Sequence, residues 1–316
     1  MNKLNILITG CGGDIGQSIL KLLKTEPVTG KLVGTDIHDH HPGKFLCDLF
    51  CVVPRVTDPQ YIPALSRIVA EQDIQLIIPV SEIELRKHAE TGLFNIFAST
   101  GVIIVCPDSD TLTIGFDKLA TARFLEEKGL PFPKTMPANE ATPSKFPIIL
   151  KDRFGSGSKT LQKVNNLMEY EFYSKQNISL LVQEMIPDTE GEYTCGLFCA
   201  GDITRTIVYK RTLQGGFSNY GIKVNNQAIN AFLFQLAALL KPKGSINIQL
   251  RLKNGIPYVF EINPRFSSTV LFRHKMGFKD VLWSIFAATG KPVPEYNEAP
   301  DGSEFFKGYD EYISIP

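Results

Sequence analysis

The sequence predicts an α/β protein with a mostly parallel sheet in its N-terminal part and an α+β arrangement in the remainder. Three observations support this fold class. Buried strands alternate with amphipathic helices over residues 1–115. The alternation stops near residue 115. Beyond that point, strands with alternating apolar side chains predict antiparallel sheets.

The predicted N-terminal elements follow from apolar runs and turn signals. Leu4–Thr9 is a continuous apolar run, which is typical of a strand buried on both faces. A glycine turn over residues 10–16 then opens a helix. Ser81 and Glu84 have the spacing of a capping box, which predicts the start of another helix. The other elements expected here are strands at 31–36, 75–80 and 102–105 and a helix from Pro59 to about residue 72.

The elements predicted beyond residue 115 are less regular. A helix is expected over residues 116–128, because Gly129 and two nearby prolines mark its end. Short strands should surround a Gly/Ser loop between residues 134 and 163. The remaining expectations are antiparallel strands over 180–210, a helix over 226–240 and a β-hairpin over 245–262.

Composition and charge exclude several classes of protein. The 316 residues include 33 basic and 33 acidic side chains, and the net charge of zero argues against a general nucleic-acid binder. No apolar run approaches the roughly 20 residues that span a bilayer, and the N-terminus lacks the pattern of a signal peptide. We therefore expect a cytoplasmic protein without a nucleic-acid or membrane partner, and a homodimer remains open.

The cysteines and a histidine-rich segment are weaker signals. The six cysteines lack the spacing of a zinc or redox site, so we expect free thiols. His38, His40 and His41 lie in a polar segment before a Pro-Gly pair. Because they have no partner at diagnostic spacing, a solvated loop is expected there.

The glycine turn permits a second interpretation of function. Gly10, Gly13 and Gly16 fit the form seen in extended short-chain dehydrogenases, and Asp36 ends the second strand near the place of a ribose-binding acid. Such enzymes need a tyrosine and a lysine four residues apart, and none of the ten tyrosines has this lysine. A dehydrogenase or epimerase remains an alternative. The structural interpretation is that the glycines simply allow a tight turn.

A pair of strands near the C-terminus carries the residues of a candidate metal site. Side chains alternate along a strand, so Glu261 and Asn263 share one face. Gln249 joins that face if the hairpin turns through the three residues 253–255, which is the turn we predict. One carboxylate and two amide oxygens suit Mg²⁺. Arg265 should fall beside this face as a cation for phosphate oxygens.

Other segments are suited to binding phosphates and a base. Lys151 ends an apolar strand and is followed by a flexible loop whose backbone can cover phosphates. Lys118 offers a second cation at a helix start. The strand over 181–187 runs into a turn, and its exposed end can hydrogen-bond an adenine edge. The order of these pieces, followed by Gln249 and the segment Glu-x-Asn-Pro-Arg, resembles the ATP-grasp superfamily.

The closest resemblance is to stand-alone proteins similar to the carbamoyl-phosphate synthase large subunit, over residues 1 to about 290. It implies a pre-ATP-grasp, Rossmann-like domain at 1–115, a linker and lid at 116–187, and an antiparallel central domain with the metal site at 188–316. The chain has one ATP-grasp unit, whereas the synthase subunit has two. This difference argues against carbamoyl phosphate synthesis.

The resemblance also implies a role for each candidate residue. ATP would be bound by Lys118, Lys151, Ser156, Gly157, Ser158, Glu184, Met185, Ile186 and Glu192. Mg²⁺, with Mn²⁺ as an alternative, would be bound by Gln249, Glu261 and Asn263. Arg265 and Lys151 would be catalytic.

The implied activity is a ligase that activates a carboxylate as an acyl phosphate and joins it to an amine or a similar nucleophile. Carbamoyl or carboxyl chemistry on the same fold is the alternative. Arg211 and the run 215–221 are expected either to contact the acceptor or to form a surface turn.

Overall fold

A parallel sheet of five strands forms the N-terminal part of the chain. The computed structural model describes residues 3–155, 161–175, 177, 179–214, 217–308 and 310–313. The strands are β1 (Leu4–Thr9), β2 (Thr29–Asp36), β3 (Leu49–Val52), β4 (Leu76–Pro79) and β5 (Ile103–Ile104). They lie in the order β3-β2-β1-β4-β5, and every neighbouring pair is parallel. The predicted α/β class is confirmed for this part.

Helices connect the strands of this sheet. They are α1 (Asp14–Leu23), α2 (Tyr61–Glu71), α3 (Glu82–Thr91) and α4 (Asn95–Ala98), and a 3-10 turn spans Pro42–Phe45. Helix α2 begins two residues later than predicted, because the Asp58 carboxylate accepts the Gln60 N–H and holds a turn there.

The capping box expected at helix α3 is not formed. Ser81 is the N-cap, but its side chain makes no capping bond to any described residue. Glu84 instead points into the protein, where it accepts hydrogen bonds from Thr9 and, at 2.7 Å, from the Tyr61 hydroxyl. A contact with residues distant in the sequence has replaced the local one.

The helix expected over residues 116–128 is present and begins two residues later than predicted, and a helix that was not predicted precedes it. Helix α5 (Ser109–Phe116) ends and α6 (Lys118–Glu127) begins on either side of Asp117, whose backbone is extended. The Asp117 carboxylate caps α6 by accepting backbone N–H groups, and it also accepts the Arg153 Nε–H at 2.7 Å. The interruption places Lys118 at the first turn of the second helix.

Two antiparallel sheets form the rest of the chain. The smaller has strands β6 (Thr135–Pro137), β7 (Ile148–Asp152), β8 (Gln162–Val164) and β9 (Leu180–Glu184), with helix α7 (Leu167–Tyr173) between β8 and β9. Its order is β6-β9-β7-β8. The larger has strands β10 (Glu192–Ala200), β11 (Ile203–Gln214), β12 (Phe217–Lys223), β13 (Gly244–Lys253), β14 (Ile256–Asn263) and β15 (Glu304–Phe306). Its order is β14-β13-β10-β11-β12-β15.

Three further helices complete the fold: α8 (Gln227–Leu240), α9 (Val270–Lys275) and α10 (Asp280–Ala288). Val270 and Ile285 from the last two helices share a core with Ile19 and Ile8 of the N-terminal sheet region. The chain therefore returns to its first sheet after β14, and a cleft remains between the sheets. No helix in the described ranges is long and apolar enough to cross a membrane.

Candidate active site

A cleft with a volume of about 870 Å³ lies where the three sheets meet, and its lining includes Gly10, Lys151 and Glu261. A second cavity of about 830 Å³ lies around Phe234, and Asp202 is the one carboxylate among its described lining residues. Ammonium, guanidinium and carboxylate groups converge in the first cleft, so we take it as the candidate active site.

The cleft lining contains most of the residues expected from the sequence: Lys118, Lys151, Glu184, Ile186, Glu192, Gln249, Glu261, Asn263 and Arg265. Met185, which directly follows β9, is half-buried and does not belong to the described lining of the cleft. Ser156, Gly157 and Ser158 lie outside the described residues.

The hairpin of β13 and β14 turns through two residues, so the predicted three-residue loop is wrong. Lys253 pairs directly with Ile256. Asn254 and Gly255 have φ angles of 55° and 72°, as a type I′ turn requires. Asparagine tolerates this left-handed conformation, and the Glu190 carboxylate accepts both backbone N–H groups at 2.6 and 2.9 Å.

With this turn and regular pairing, Gln249 would lie opposite Phe260 and on the other face from Glu261. A β-bulge on β14 changes the pairing. Leu250 pairs with Val259, whereas Gln249 pairs with Glu261, so Phe260 is an extra residue on β14. Gln249 and Glu261 therefore lie directly opposite each other. The shared face expected from the sequence is present, and a bulge rather than a longer loop produces it.

Two of the three candidate metal ligands are oriented by neighbouring guanidinium groups. Arg211 Nη2 lies 3.0 Å from Gln249 Oε1, and Arg265 Nη2 lies 3.2 Å from Asn263 Oδ1. Together with Glu261 these residues supply one carboxylate and two amide oxygens. Hard oxygen donors of this kind fit Mg²⁺, which also takes water and phosphate oxygens.

Two lysines lie next to this oxygen-rich face. Lys151 is only 7% exposed, and its Nζ donates to the carbonyl of the bulged residue Phe260 at 3.0 Å. Burial lowers the pKa of Lys151 to about 7; Glu261 opposes this change and Lys118 adds to it. Lys118 Nζ lies 3.7 Å from Glu261 Oε1 and donates to the Gly155 carbonyl. Lys118 thus lies against the Glu261 carboxylate, and Lys151 is hydrogen-bonded to the residue before Glu261.

The strand end proposed for adenine binding is held from two sides. The Glu184 N–H donates to the Lys134 carbonyl at 2.8 Å, and the Glu184 carboxylate lies 2.9 Å from Lys253 Nζ. The Ile186 carbonyl accepts from Arg251 Nη1 at 2.8 Å. These contacts give the strand end a defined position at the cleft wall.

The Glu192 carboxylate is paired with two arginines. Its Oε1 lies 2.9 Å from Arg211 Nη2, and its Oε2 lies 2.8 Å from Arg251 Nη2. Arg211 also reaches Ser218 Oγ at 3.1 Å. The residues at 215 and 216 of the glycine-rich run lie outside the described part of the chain.

Two residues of β13 were missed as site residues by the sequence reasoning. Asn247 and Arg251 line the cleft on the same face as Gln249, two positions away on either side. The Asn247 amide oxygen accepts from Thr194 at 2.8 Å and from the buried Arg273. The period of two along the strand was the available signal.

The glycine turn packs tightly against its surroundings. A Cβ at Gly16 would lie 2.6 Å from Cys11 Cα, so glycine is required for the close approach of helix and strand. The Asp36 carboxylate accepts the N–H groups of Gly12 and Ile37 at 2.8 and 2.7 Å. These contacts agree with the structural interpretation of the glycines.

Comparison with known proteins agrees with this geometry. Residues 116–269 match the family model of the ATP-grasp domain, and residues 6–105 match that of the PylC-like N-terminal domain. The carbamoyl phosphate synthase large chain of Thermoanaerobacter sp. (strain X514) is 27% identical over 221 residues, which cover 62% of this chain and 20% of the relative. The large chain of Caldanaerobacter subterraneus subsp. tengcongensis is 30% identical over 169 residues, which cover 48% and 16%. The chain thus spans about a fifth of the length of these relatives.

Solved structures show the same fold. The ADP complex of purK, an N5-carboxyaminoimidazole ribonucleotide synthetase, superimposes with a TM-score of 0.75 at 17% identity and covers 94% of this chain and 80% of that chain. Biotin carboxylase from Campylobacter jejuni gives 0.75 at 12% identity, with coverages of 96% and 74%. The L-amino acid ligase from Bacillus licheniformis gives 0.72 at 16%, with 94% and 78%.

None of these relatives is described as a dehydrogenase, so they give no support to that alternative. Both family models agree with the order of motifs read from the sequence. Residues 116–269 of the chain therefore match an ATP-grasp domain, and residues 6–105 before them match a PylC-like N-terminal domain.

Proposed function

We propose that the protein is an ATP- and Mg²⁺-dependent ligase that activates a small-molecule carboxylate as an acyl phosphate and joins it to an amine, with release of ADP and phosphate. One observation carries the proposal: the convergence of Lys118 and Lys151 on the face that Gln249, Glu261 and Asn263 form. That face would suit a bound metal, and the lysines suit the phosphates of a nucleotide.

The roles follow from the chemistry of each group. Lys118 and Lys151 bind nucleotide phosphates, and Gln249, Glu261 and Asn263 hold Mg²⁺ or Mn²⁺. A bound metal would neutralise charge on the transferring phosphoryl group. Arg265 stabilises charge on the acyl phosphate, because a guanidinium remains protonated and forks onto phosphate oxygens. Placement and charge neutralisation then suffice, without a protein nucleophile.

The nucleotide base is assigned to the strand end at Glu184, Met185 and Ile186, and the ribose to the vicinity of Glu192. In this assignment residues 1–115 form the pre-ATP-grasp domain, 116–187 form the linker and lid, and 188–316 form the central domain. Ser156, Gly157 and Ser158 belong to the loop proposed to cover the phosphates. Closure of a lid over ATP would exclude water from the acyl phosphate.

The test is ADP release with MgATP across a panel of carboxylates and amines. Glu261→Gln removes one negative ligand with little change in size, and we expect at least a 100-fold loss of turnover. The matched control is Glu127→Gln, since the Glu127 side chain is 71% exposed. Thermal shift with MgATP and with NAD separates the two nucleotide classes. Stabilisation by NAD alone, or full turnover in Glu261→Gln, would refute the proposal.

Bicarbonate is the second candidate for the activated carboxylate. Relatives named as carbamoyl phosphate synthases, a biotin carboxylase and an N5-carboxyaminoimidazole ribonucleotide synthetase favour it. The same cleft would then pass a carboxyl group to the acceptor. ADP release that depends on added bicarbonate in degassed buffer identifies this chemistry, and release that depends on an organic acid identifies the first candidate.

A further inference from the structure

A cysteine, an aspartate and a histidine converge beside the glycine turn, apart from the residues assigned to nucleotide and Mg²⁺. One ligand atom each from Cys11, Asp36 and His41 lies within 4.8 Å of the other two. Cys11 is fully buried, and the other two residues are half-buried. Thiolate, carboxylate and imidazole are the groups that bind zinc in proteins.

The imidazole of His41 has no hydrogen-bond partner among the described residues. Both ring nitrogens are shielded from solvent, and neither has a hydrogen-bond partner within the described part of the chain. The ring packs edge-on against Phe50 with centroids 5.1 Å apart. This contact buries the ring but gives its nitrogens no hydrogen bond. A buried polar atom without a partner is costly. The solvated loop expected from the sequence is therefore wrong for His41, although the His40 side chain is 90% exposed.

A second thiol borders the same space. A Cβ placed on Gly34 would lie 2.9 Å from Cys11 Sγ and 3.1 Å from Cys47 Sγ. Burial, together with the neighbouring Cys47 and Asp36, raises the pKa of the Cys11 thiol. A bound cation would reverse this effect, because metal binding deprotonates thiols.

The backbone around the cluster is shaped for close approach. A Cβ at Gly12 would lie 2.5 Å from His41 Cδ2 and 2.8 Å from Asp36 Oδ2. A Cβ at Gly43 would lie 2.4 Å from the Cys11 carbonyl oxygen. Glycines at both positions let the histidine segment pack directly onto the glycine turn, so the cluster is part of the packed structure rather than a chance surface encounter.

We propose that Cys11, Asp36 and His41, with Cys47 as the fourth ligand, form a binding site for a divalent cation of the zinc class. Ligand atoms around tetrahedral zinc are roughly 3.5 Å apart, so side-chain shifts of about an ångström would bring the Cys11, Asp36 and His41 atoms to that spacing. The Cys47 thiol, which lies 3.7 Å from the Gly43 and Lys44 carbonyl oxygens, would turn from these weak contacts toward the metal. Asp36 also lines the cleft. A metal here would fix the segment around His41 to the cleft wall at Asp36.

The test uses the full chain, stripped with a chelator under reducing conditions and titrated with Zn²⁺ and with Co²⁺. We expect one Zn²⁺ per chain and a cobalt–thiolate charge-transfer band. Cys11→Ser and His41→Ala should each weaken the affinity by about 100-fold, judged from the 10- to 100-fold cost of losing even an outer-shell partner. The matched controls Cys51→Ser and His40→Ala should leave the affinity unchanged.

Protection of the half-buried Cys47 from alkylation by Zn²⁺, read by mass spectrometry on the unaltered chain, needs no variant and covers the case of misfolding. Absence of the cobalt–thiolate band, equal alkylation with and without Zn²⁺, or unchanged affinity in folded Cys11→Ser and His41→Ala would overturn the inference. Zn²⁺ binding should persist in Glu261→Gln, which separates this site from the proposed Mg²⁺ site.

Discussion

Replacing Lys151 with methionine is expected to stabilise the chain in the absence of nucleotide and to abolish ATP turnover. Lys151 is buried against the bulge of β14, and the cleft supplies Glu261 as a partial counter-charge and Lys118 as a like charge. A buried ammonium group with so little counter-charge destabilises the folded chain, and a bound phosphate would offset this cost. Methionine fills a similar volume without a charge.

The magnitude follows from the pKa of Lys151. Burial lowers it from 10.5 to about 7. The unfolded chain therefore keeps this proton up to pH 10.5, whereas the folded chain loses it near pH 7. At 1.36 kcal/mol per unit, the buried lysine costs about 4 kcal/mol at pH 7. Loss of the hydrogen bond to Phe260 removes about 1 kcal/mol, which leaves a net gain of about 3 kcal/mol in the variant.

The pH dependence gives a second signature of the same group. Between pH 7 and 10.5 the unfolded state binds more protons, so the stability of the unaltered chain rises with pH. The free energy of unfolding of Lys151→Met should lack this rise and should exceed that of the unaltered chain most clearly near pH 7. MgATP binding should require protonation of Lys151, so affinity should fall by up to about tenfold per pH unit above 7.

Urea denaturation between pH 6.5 and 9.5, with ADP release measured at pH 7.5, checks both expectations. Lys128→Met, at a surface position, serves as the matched control and should change stability by less than about 0.5 kcal/mol. A loss of stability in Lys151→Met at pH 7, or retention of turnover, would refute the reasoning about this lysine.

Three further expectations concern stability and are measured by urea denaturation. Burial raises the pKa of Glu84, so this residue holds its proton more tightly in the folded chain than in the unfolded chain. The free energy of unfolding therefore falls as pH rises above the ordinary carboxyl range, and Glu84→Gln should flatten that fall between pH 4 and 8. Gly255→Val forces a β-branched residue to a φ of 72° and should cost at least about 1–2 kcal/mol, whereas an unchanged midpoint would contradict the turn geometry. Arg273→Met leaves the Asp280 carboxylate buried without its partner 3.6 Å away and should cost about 3–5 kcal/mol, part of which Arg273→Met with Asp280→Leu should recover.

Local signals predicted the elements more reliably than the contacts between them. The strand Leu4–Thr9 and the helix that Asn226 caps were expected close to where they lie, since apolar periodicity and capping are properties of neighbouring residues. The contact between Asp117 and Arg153, 36 residues apart, was not predicted, because no local pattern encodes it. Glu84 was misassigned for the same reason, since its partner Thr9 lies 75 residues away.

For the hairpin of β13 and β14, the shared face of Gln249 and Glu261 was predicted correctly, but from the wrong turn length. Asn254-Gly255 favours a two-residue turn, and this turn is present. The bulge at Phe260 that compensates for it has no signature in the hairpin alone, because the Phe260 carbonyl bonds to Lys151 from a different sheet.

The sequence by itself determined the fold class, the order of the sheets and the kinds of side chain available for binding ATP and a metal. These depend on the period of apolar residues and on motifs a few residues long. The tertiary structure alone decided which face Gln249 presents, the low pKa of Lys151 and the convergence of Cys11 with His41. Each of these depends on distances and burial between residues far apart in the chain, which no local pattern of residues encodes.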